Sequence, residues 1–308
     1  MEQRTLGDRG PRVSVVGLGC NNFGMKLTRD ASVDVVRAAL DAGITHFDTA
    51  EMYGGGQSEE FLGEALEDHR EEVVIATKFS PRPGDQAWEP GELTRRITDA
   101  CEASLRRLGT DHIDLYYQHY PDPDAPVDEA LSTLSSLVDA GKVLFVASSN
   151  VDNDRIDEAA EAAARLDTPA FVATQAQWSL LVRKVEASVL PAARRHHLGV
   201  VPYFPLASGL LTGKYRKGED FPEGSRLATM SFFATMATDE NFAYIERLRS
   251  FAEERGRTVL ELAIAWLLAQ EGVASVIAGA TTPEQVKGNA ASGAWALSPE
   301  ELVAVPTL

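Results

Sequence analysis

The sequence predicts an α/β fold, a closed (β/α)8 (TIM) barrel, and three observations carry that prediction. Strand-like and helix-like periods alternate about eight times along 308 residues, the pattern and the length of such a barrel. Three successive apolar runs end in polar residues that packing does not explain: Asp48, with Tyr53 five residues on, then Lys78, then His119. Parallel barrels build their chemistry at the C-terminal ends of the strands, so these side chains fall where an active site belongs. Long, weakly periodic segments at 21–28, 80–91 and 212–239 interrupt the alternation, and loops of that length in a compact domain are usually lids or binding loops. Unit counting leaves a doubly wound sheet open as the alternative.

The elements follow in order. QRTLGDRGPRVSVVG predicts a short N-terminal hairpin turning at Gly7-Asp8-Arg9-Gly10, with VSVVGLG as the first barrel strand. ASVDVVRAALDAG is amphipathic, stops at Gly43 and precedes the strand THFD. SEEFLGEALEDH leads to VVIAT, ELTRRITDACEASLRRLG to HIDLYYQ, and PVDEALSTLSSLVDAG, with Pro126 at its start, to VLFVASS. NDRIDEAAEAAARL leads to FVATQ, EASVLPAARRHHLG to VVPYF, and TVLELAIAWLLAQEG to ASVIAG, followed by PEQVKGNAASG. Internal repeats, low-complexity tracts and linkers do not stand out, so one domain over 1–308 is expected.

Composition narrows the function classes. The formal charge is −17, which disfavours nucleic acid and anionic membrane surfaces as partners, since both need a basic face. Cys20 and Cys101 are the two cysteines, without a CxxC, so neither a disulfide framework nor a cysteine metal site is expected. The first residues lack a signal-peptide pattern and no apolar run approaches a membrane span, so a reducing cytoplasm is the expected compartment.

An acid, a phenol, an amine and an imidazole together suit one kind of chemistry. A phenol has an ordinary pKa of about 10 and is a poor acid at neutral pH. A neighbouring ammonium lowers it, and a carboxylate holds that ammonium in place. Tyr53 is then the proton donor, Lys78 and Asp48 its tuning pair, and His119 a hydrogen-bond donor that orients a carbonyl. Reduction of a carbonyl needs this set. Residue chemistry alone leaves another acid–base enzyme, such as a metal-free barrel isomerase, equally open.

Several blocks resemble the aldo-keto reductase family along essentially the whole chain. They are FDTAEMYGGGQSEEFLGEAL, ATK, LGTDHIDLYYQH, GKVLFVASSN, PLASGLLTGKY and IAGATTPEQVKGN. The resemblance implies that Asp48, Tyr53, Lys78 and His119 form the catalytic tetrad, with Tyr53 as general acid. It also implies a nicotinamide dinucleotide bound extended, without a Rossmann domain. GLGCNN agrees, because its sixth position is Asn22 and it is not GxGxxG; Gly19, Cys20 and Asn21 then border the cofactor.

Further cofactor positions follow from the same resemblance. Ser149, Asn150 and Gln175, at two strand ends, match the residues that hold the nicotinamide carboxamide. Tyr203 matches the aromatic that stacks on the ring. Leu206, Ser208, Gly209 and Leu211 match the pyrophosphate segment, with Lys214 as a phosphate contact. Thr282-Pro283-Glu284-Gln285 reads as a capping box, and its helix N-terminus suits the adenosine phosphate. Gly279, Thr281, Gln285 and Asn289 match cofactor positions there. Some members carry a Lys-Ser pair and an Arg where this chain has Gly279, Ala280 and Gln285, yet branches with Gly and Gln also use NADPH, and Lys287 adds charge. NADPH is therefore the expected cofactor, ahead of NADH, and no metal is expected.

The substrate pocket is expected among Phe23–Met25, Met52, Phe79, Trp88, Tyr120 and SFFATM (231–236). That lining suits a small, hydrophobic aldehyde or ketone. Arg82, Arg216 and Arg226 are the candidates for an acidic or phosphorylated one. A nicotinamide-binding, redox-sensing regulatory subunit with little turnover is the alternative function.

Overall fold

Eight parallel strands, neighbours in chain order, close on one another into a barrel. The computed structural model describes every residue except 81–87, 123 and 231–233. A two-stranded antiparallel hairpin, β1 (Gln3–Thr5) and β2 (Arg12–Ser14), precedes the barrel. The barrel strands are β3 (Val16–Gly19), β4 (His46–Asp48), β5 (Val74–Phe79), β6 (Ile113–Gln118), β7 (Val143–Ser149), β8 (Ala173–Gln177), β9 (Gly199–Tyr203) and β10 (Val276–Gly279). Closure is made by β10 pairing with β3 from Val276↔Val16 to Gly279↔Gly19, and with β9 through Ile277↔Tyr203. That removes the doubly wound alternative.

The expected single strand 13–19 is split. Ser14 ends the hairpin and Val16 begins the barrel. The Ser14 side chain explains the break, for its hydroxyl donates to Val16 O at 2.7 Å and accepts from Thr45 N at 3.0 Å. The hairpin turns where expected, with Gly10 N donating to Leu6 O at 2.9 Å. Gly7 has φ +60, and an added Cβ would lie 2.5 Å from His197 O; only glycine lets the turn press against the barrel floor.

Leu6 and Val13 from the hairpin join Ala76, Leu115, Tyr117, Ala147, Ala173 and Val201 in an interior cluster that fills the barrel from below. The outer core lies between the strands and the helix ring. The helices are α1 (Arg29–Asp41), α2 (Gln57–Leu66), α3 (Glu92–Leu108), α4 (Val127–Asp139), α5 (Asn153–Leu166), α6 (Val185–Ser188), α7 (Leu190–Arg195), α8 (Arg226–Thr229), α9 (Asp239–Glu253), α10 (Val259–Leu268), α11 (Pro283–Ser292) and α12 (Pro299–Ala304). Pro191 at the start of α7 breaks the expected run 186–199 into two short helices. Among the described residues no helix is long and apolar enough to cross a membrane.

The α11 start departs from its expected capping box. Thr282 does accept from Gln285 N, at 3.3 Å. The Gln285 side chain reaches one residue further back, accepting from Thr281 N at 2.8 Å and from the Thr281 hydroxyl at 3.1 Å. Thr281 is thereby fixed at the cleft edge.

Candidate active site

The register of the parallel strands brings three chemical groups to one end of the barrel. Asp48 ends β4, Lys78 lies one residue from the end of β5, and His119 follows β6. Tyr53 opens a short turn, Tyr53–Gly56, that leads directly into α2. The Lys78 ammonium, with no exposure, donates to Asp48 Oδ1 and to Thr49 O, each at 2.6 Å. It also sits 5.2 Å from the centre of the Tyr53 ring. His119 meets that ring edge-on at 5.9 Å and stacks on Tyr120 at 4.8 Å. The four expected catalytic side chains therefore form one cluster.

The electrostatics correct one expectation. Burial pushes the Tyr53 phenol above its ordinary value, and the attraction of Lys78 only partly offsets this. Tyr53 is thus held protonated at neutral pH, the form that gives up a proton rather than takes one. For Lys78, burial disfavours the charge, but Asp48 and Tyr53 outweigh it and raise the amine. Burial, reinforced by Lys78, holds His119 down at about 4. The imidazole is neutral, and its Nδ1 is buried without a hydrogen-bond partner.

A chain of polar side chains continues across the strand ends. Gln175 Nε2 donates to Asp48 Oδ2 at 2.7 Å. The Ser149 hydroxyl donates to Gln175 O at 3.1 Å. Asn150 Nδ2 donates to His119 O at 2.9 Å, and Asn150 Oδ1 accepts from the Tyr203 hydroxyl at 2.7 Å. The expected ring-stacking tyrosine is thereby pinned at its far end. Strain gathers here as well: Asn150, Phe204 and Ser208 all have positive φ and all line the same cavity.

That cavity measures about 1040 Å³. It runs from Tyr53, His119 and Tyr120 past Gly19, Cys20 and Asn21 to the start of α11, where Gly279, Thr281, Gln285 and Asn289 face it. Leu206, Ser208, Gly209 and Lys214 form part of its wall, and an added Cβ on Gly209 would lie 3.3 Å from Lys214 Nζ. Leu211 is different. It is buried beneath this turn with no exposure and serves packing.

The substrate end is only partly as expected. Met52 and Tyr120 line the cavity and are more than 40% exposed, whereas Met25 is exposed but does not line it. Phe79 is fully buried against Tyr116, and Trp88 donates to Glu129 at 2.8 Å, so both are spent on packing. Arg216 turns to Gly213 O at 2.7 Å. Arg82, Phe232 and Phe233 lie outside the described residues. Lys26 was not anticipated: it lines the cavity, and burial together with the charges of Arg226 and Lys214 lowers its amine. Arg226 lies 5.4 Å over the Phe204 ring. No local pattern marks Lys26, because its neighbours Lys214 and Arg226 are about two hundred residues away in sequence.

Comparison with known proteins identifies one family. The model of the family described as "Aldo/keto reductase family" matches residues 15–307. An "Aldo-keto reductase YhdN" of Bacillus subtilis is 35% identical over 321 residues, covering 100% of this chain and 93% of the relative. A "Probable voltage-gated potassium channel subunit beta" of Arabidopsis thaliana is 34% identical, covering 94% of this chain and 90% of the relative. An "L-glyceraldehyde 3-phosphate reductase" of Escherichia coli is 32% identical, over 94% and 86%.

Proposed function

This chain belongs to the aldo/keto reductase family, and from that premise we propose that it reduces an aldehyde or ketone to the alcohol with NADPH, Tyr53 giving the proton. The single observation that carries the reading is the cluster of Tyr53, buried Lys78 and its 2.6 Å partner Asp48 beside a neutral His119. What supports the cofactor is a cavity of about 1040 Å³ walled by Lys26, Lys214 and Arg226, long and cationic enough for an extended dinucleotide carrying phosphates. Bound there, the nicotinamide supplies the hydride.

The residues of the chain do the rest. His119 donates a hydrogen bond to the carbonyl oxygen and aims it at Tyr53. As negative charge grows on that oxygen, the Tyr53 hydroxyl releases its proton to it. The phenolate left behind is stabilised by the Lys78 ammonium, which Asp48 keeps charged and in place. Tyr203 would pack against the nicotinamide, and Ser149, Asn150 and Gln175 would hold it. Met52 and Tyr120 offer an apolar mouth for a hydrophobic substrate.

A second reading follows from the potassium-channel-subunit relatives, at 34% and 35% identity: a regulatory subunit that holds cofactor and turns over slowly. Titration of the purified chain with NADPH and, separately, NADH, followed by tryptophan fluorescence, tests the cofactor. Saturable binding with NADPH preferred is expected. Binding of neither overturns both readings.

A further inference from the structure

Asp48 and Lys78 each have a threonine next to them in the chain, Thr49 and Thr77, that turns the opposite way. Asp48 and Lys78 point inward, so their neighbours Thr49 and Thr77 point outward, and both are fully buried. Both threonine hydroxyls end on the first turn of α2, the helix that Tyr53 leads into. Ser58 donates to Cys20 O at 2.9 Å, so the Thr49 hydroxyl, 2.8 Å away, donates to Ser58. The Thr77 hydroxyl donates to Glu59 Oε1 at 2.6 Å.

Glu59 itself has no exposure, and Arg107 of α3 donates from Nε to its other oxygen at 2.6 Å. Arg107 also packs against the Tyr53 turn. Gly56 has φ +98, and an added Cβ there would lie 2.9 Å from Arg107 Cδ. A buried ion pair is weak evidence of stabilisation, because desolvation consumes most of its attraction. Here its placement is the informative property, since it ties α2 to the turn that carries Tyr53 and, through Thr77, to the strand that carries Lys78.

We propose that Glu59, held by Arg107, is a positioning residue that sets the Tyr53 hydroxyl against Lys78 by clamping the Tyr53 turn and α2 to β5. This rests on the reading of Tyr53 as the acid of a carbonyl reduction. Glu59 touches neither substrate nor cofactor; it acts through Thr77 and through the turn. A misplacement near 1 Å at the reacting atoms costs up to about 100-fold in rate.

The test compares wild type with Glu59→Gln, which keeps the shape and removes the charge, and with Arg107→Lys, which keeps the charge. Tyr53→Phe is the control for the underlying reading. Glu59→Gln is expected to slow single-turnover reduction by roughly 10- to 100-fold, with NADPH affinity unchanged and the alkaline limb of the pH–rate profile moved. Arg107→Lys, which keeps the charge facing Glu59, is expected to be slowed less than Glu59→Gln. A Glu59→Gln rate and pH profile like wild type, with only the melting temperature lowered, overturns the proposal. If Glu59→Gln does not fold, Thr77→Val severs the same link and is held to the same outcomes. A crystal structure of the variant decides independently of turnover: the 5.2 Å separation of Lys78 Nζ from the Tyr53 ring should change, and an unchanged separation overturns the proposal. A Tyr53→Phe enzyme as fast as wild type would end the reductase reading instead.

Discussion

Lys78 and Asp48 form an ion pair of 2.6 Å at the end of the barrel, with the lysine wholly excluded from solvent. A buried charge persists only when it is paired and hydrogen-bonded, and here Thr49 O supplies a second acceptor. The amine is therefore a permanent positive charge beside Tyr53, whose phenol burial keeps protonated.

Replacing Tyr53 with Phe removes the proposed proton donor without disturbing the pair. The reduction rate should fall by about 100-fold or more, while NADPH affinity stays near wild type. Steady-state kinetics beside a binding titration checks both halves.

The pH profile of reduction should hold flat through neutrality and fall only above about 10, because burial raises Tyr53 above the ordinary phenol. The protonated form is the active one and is lost only as pH rises past the raised range of the buried Tyr53 phenol. In Lys78→Met the opposing attraction is gone, so the limb moves higher still or activity disappears. An unchanged profile would contradict the role given to Lys78.

Stability should climb between pH 4 and 6.5 through His46, which faces the barrel interior beneath Asp48. Ser275 gives its proton to Ser14 O at 2.8 Å, so His46 Nδ1 donates to Ser275 Oγ, 3.0 Å away. Burial lowers this imidazole from 6.5 to about 4. The unfolded chain then binds the extra proton in that window, so the contribution is complete above 6.5 and lost as pH falls towards 4. Its size is about 3 kcal/mol, and denaturant unfolding of His46→Leu should show a shallower pH dependence than wild type.

Dinucleotide affinity should depend on the cations of the cleft. Lys214→Met and Lys26→Met are each expected to weaken NADPH by about 10-fold, in keeping with a charged hydrogen bond to phosphate. The loss should shrink as salt is added. Isothermal titration at two ionic strengths measures this, and equal loss for NADPH and NADH would assign the lysines to the pyrophosphate rather than the 2′-phosphate.

The candidate site was legible in the sequence because side chains for chemistry in a parallel barrel sit at strand ends, and strand ends are local. Asp48, Lys78 and His119 each close an apolar run, so the chain itself shows the site's members. Barrel closure was not legible in that way, since Ile277↔Tyr203 and Val276↔Val16 join distant residues. Nor was the direction of the Tyr53 shift, which turns on how deeply the ring is buried rather than on Lys78 alone. Lys26 stayed hidden for the reason that loop lysines are ordinarily solvated. The helix Asp239–Glu253, next to a long irregular segment, was not legible either, although Thr238 caps it by accepting from Asn241 N. Thr49 and Thr77 read as ordinary strand residues until the register shows both meeting α2.

Carbonyl reduction with Tyr53 as acid is tested most directly by the consumption of NADPH absorbance by the purified chain with a hydrophobic aldehyde, for wild type and Tyr53→Phe side by side. Aldehyde-dependent consumption by wild type should all but vanish in the variant. Wild-type consumption that persists in Tyr53→Phe, or none at all from a chain that binds NADPH, would contradict it.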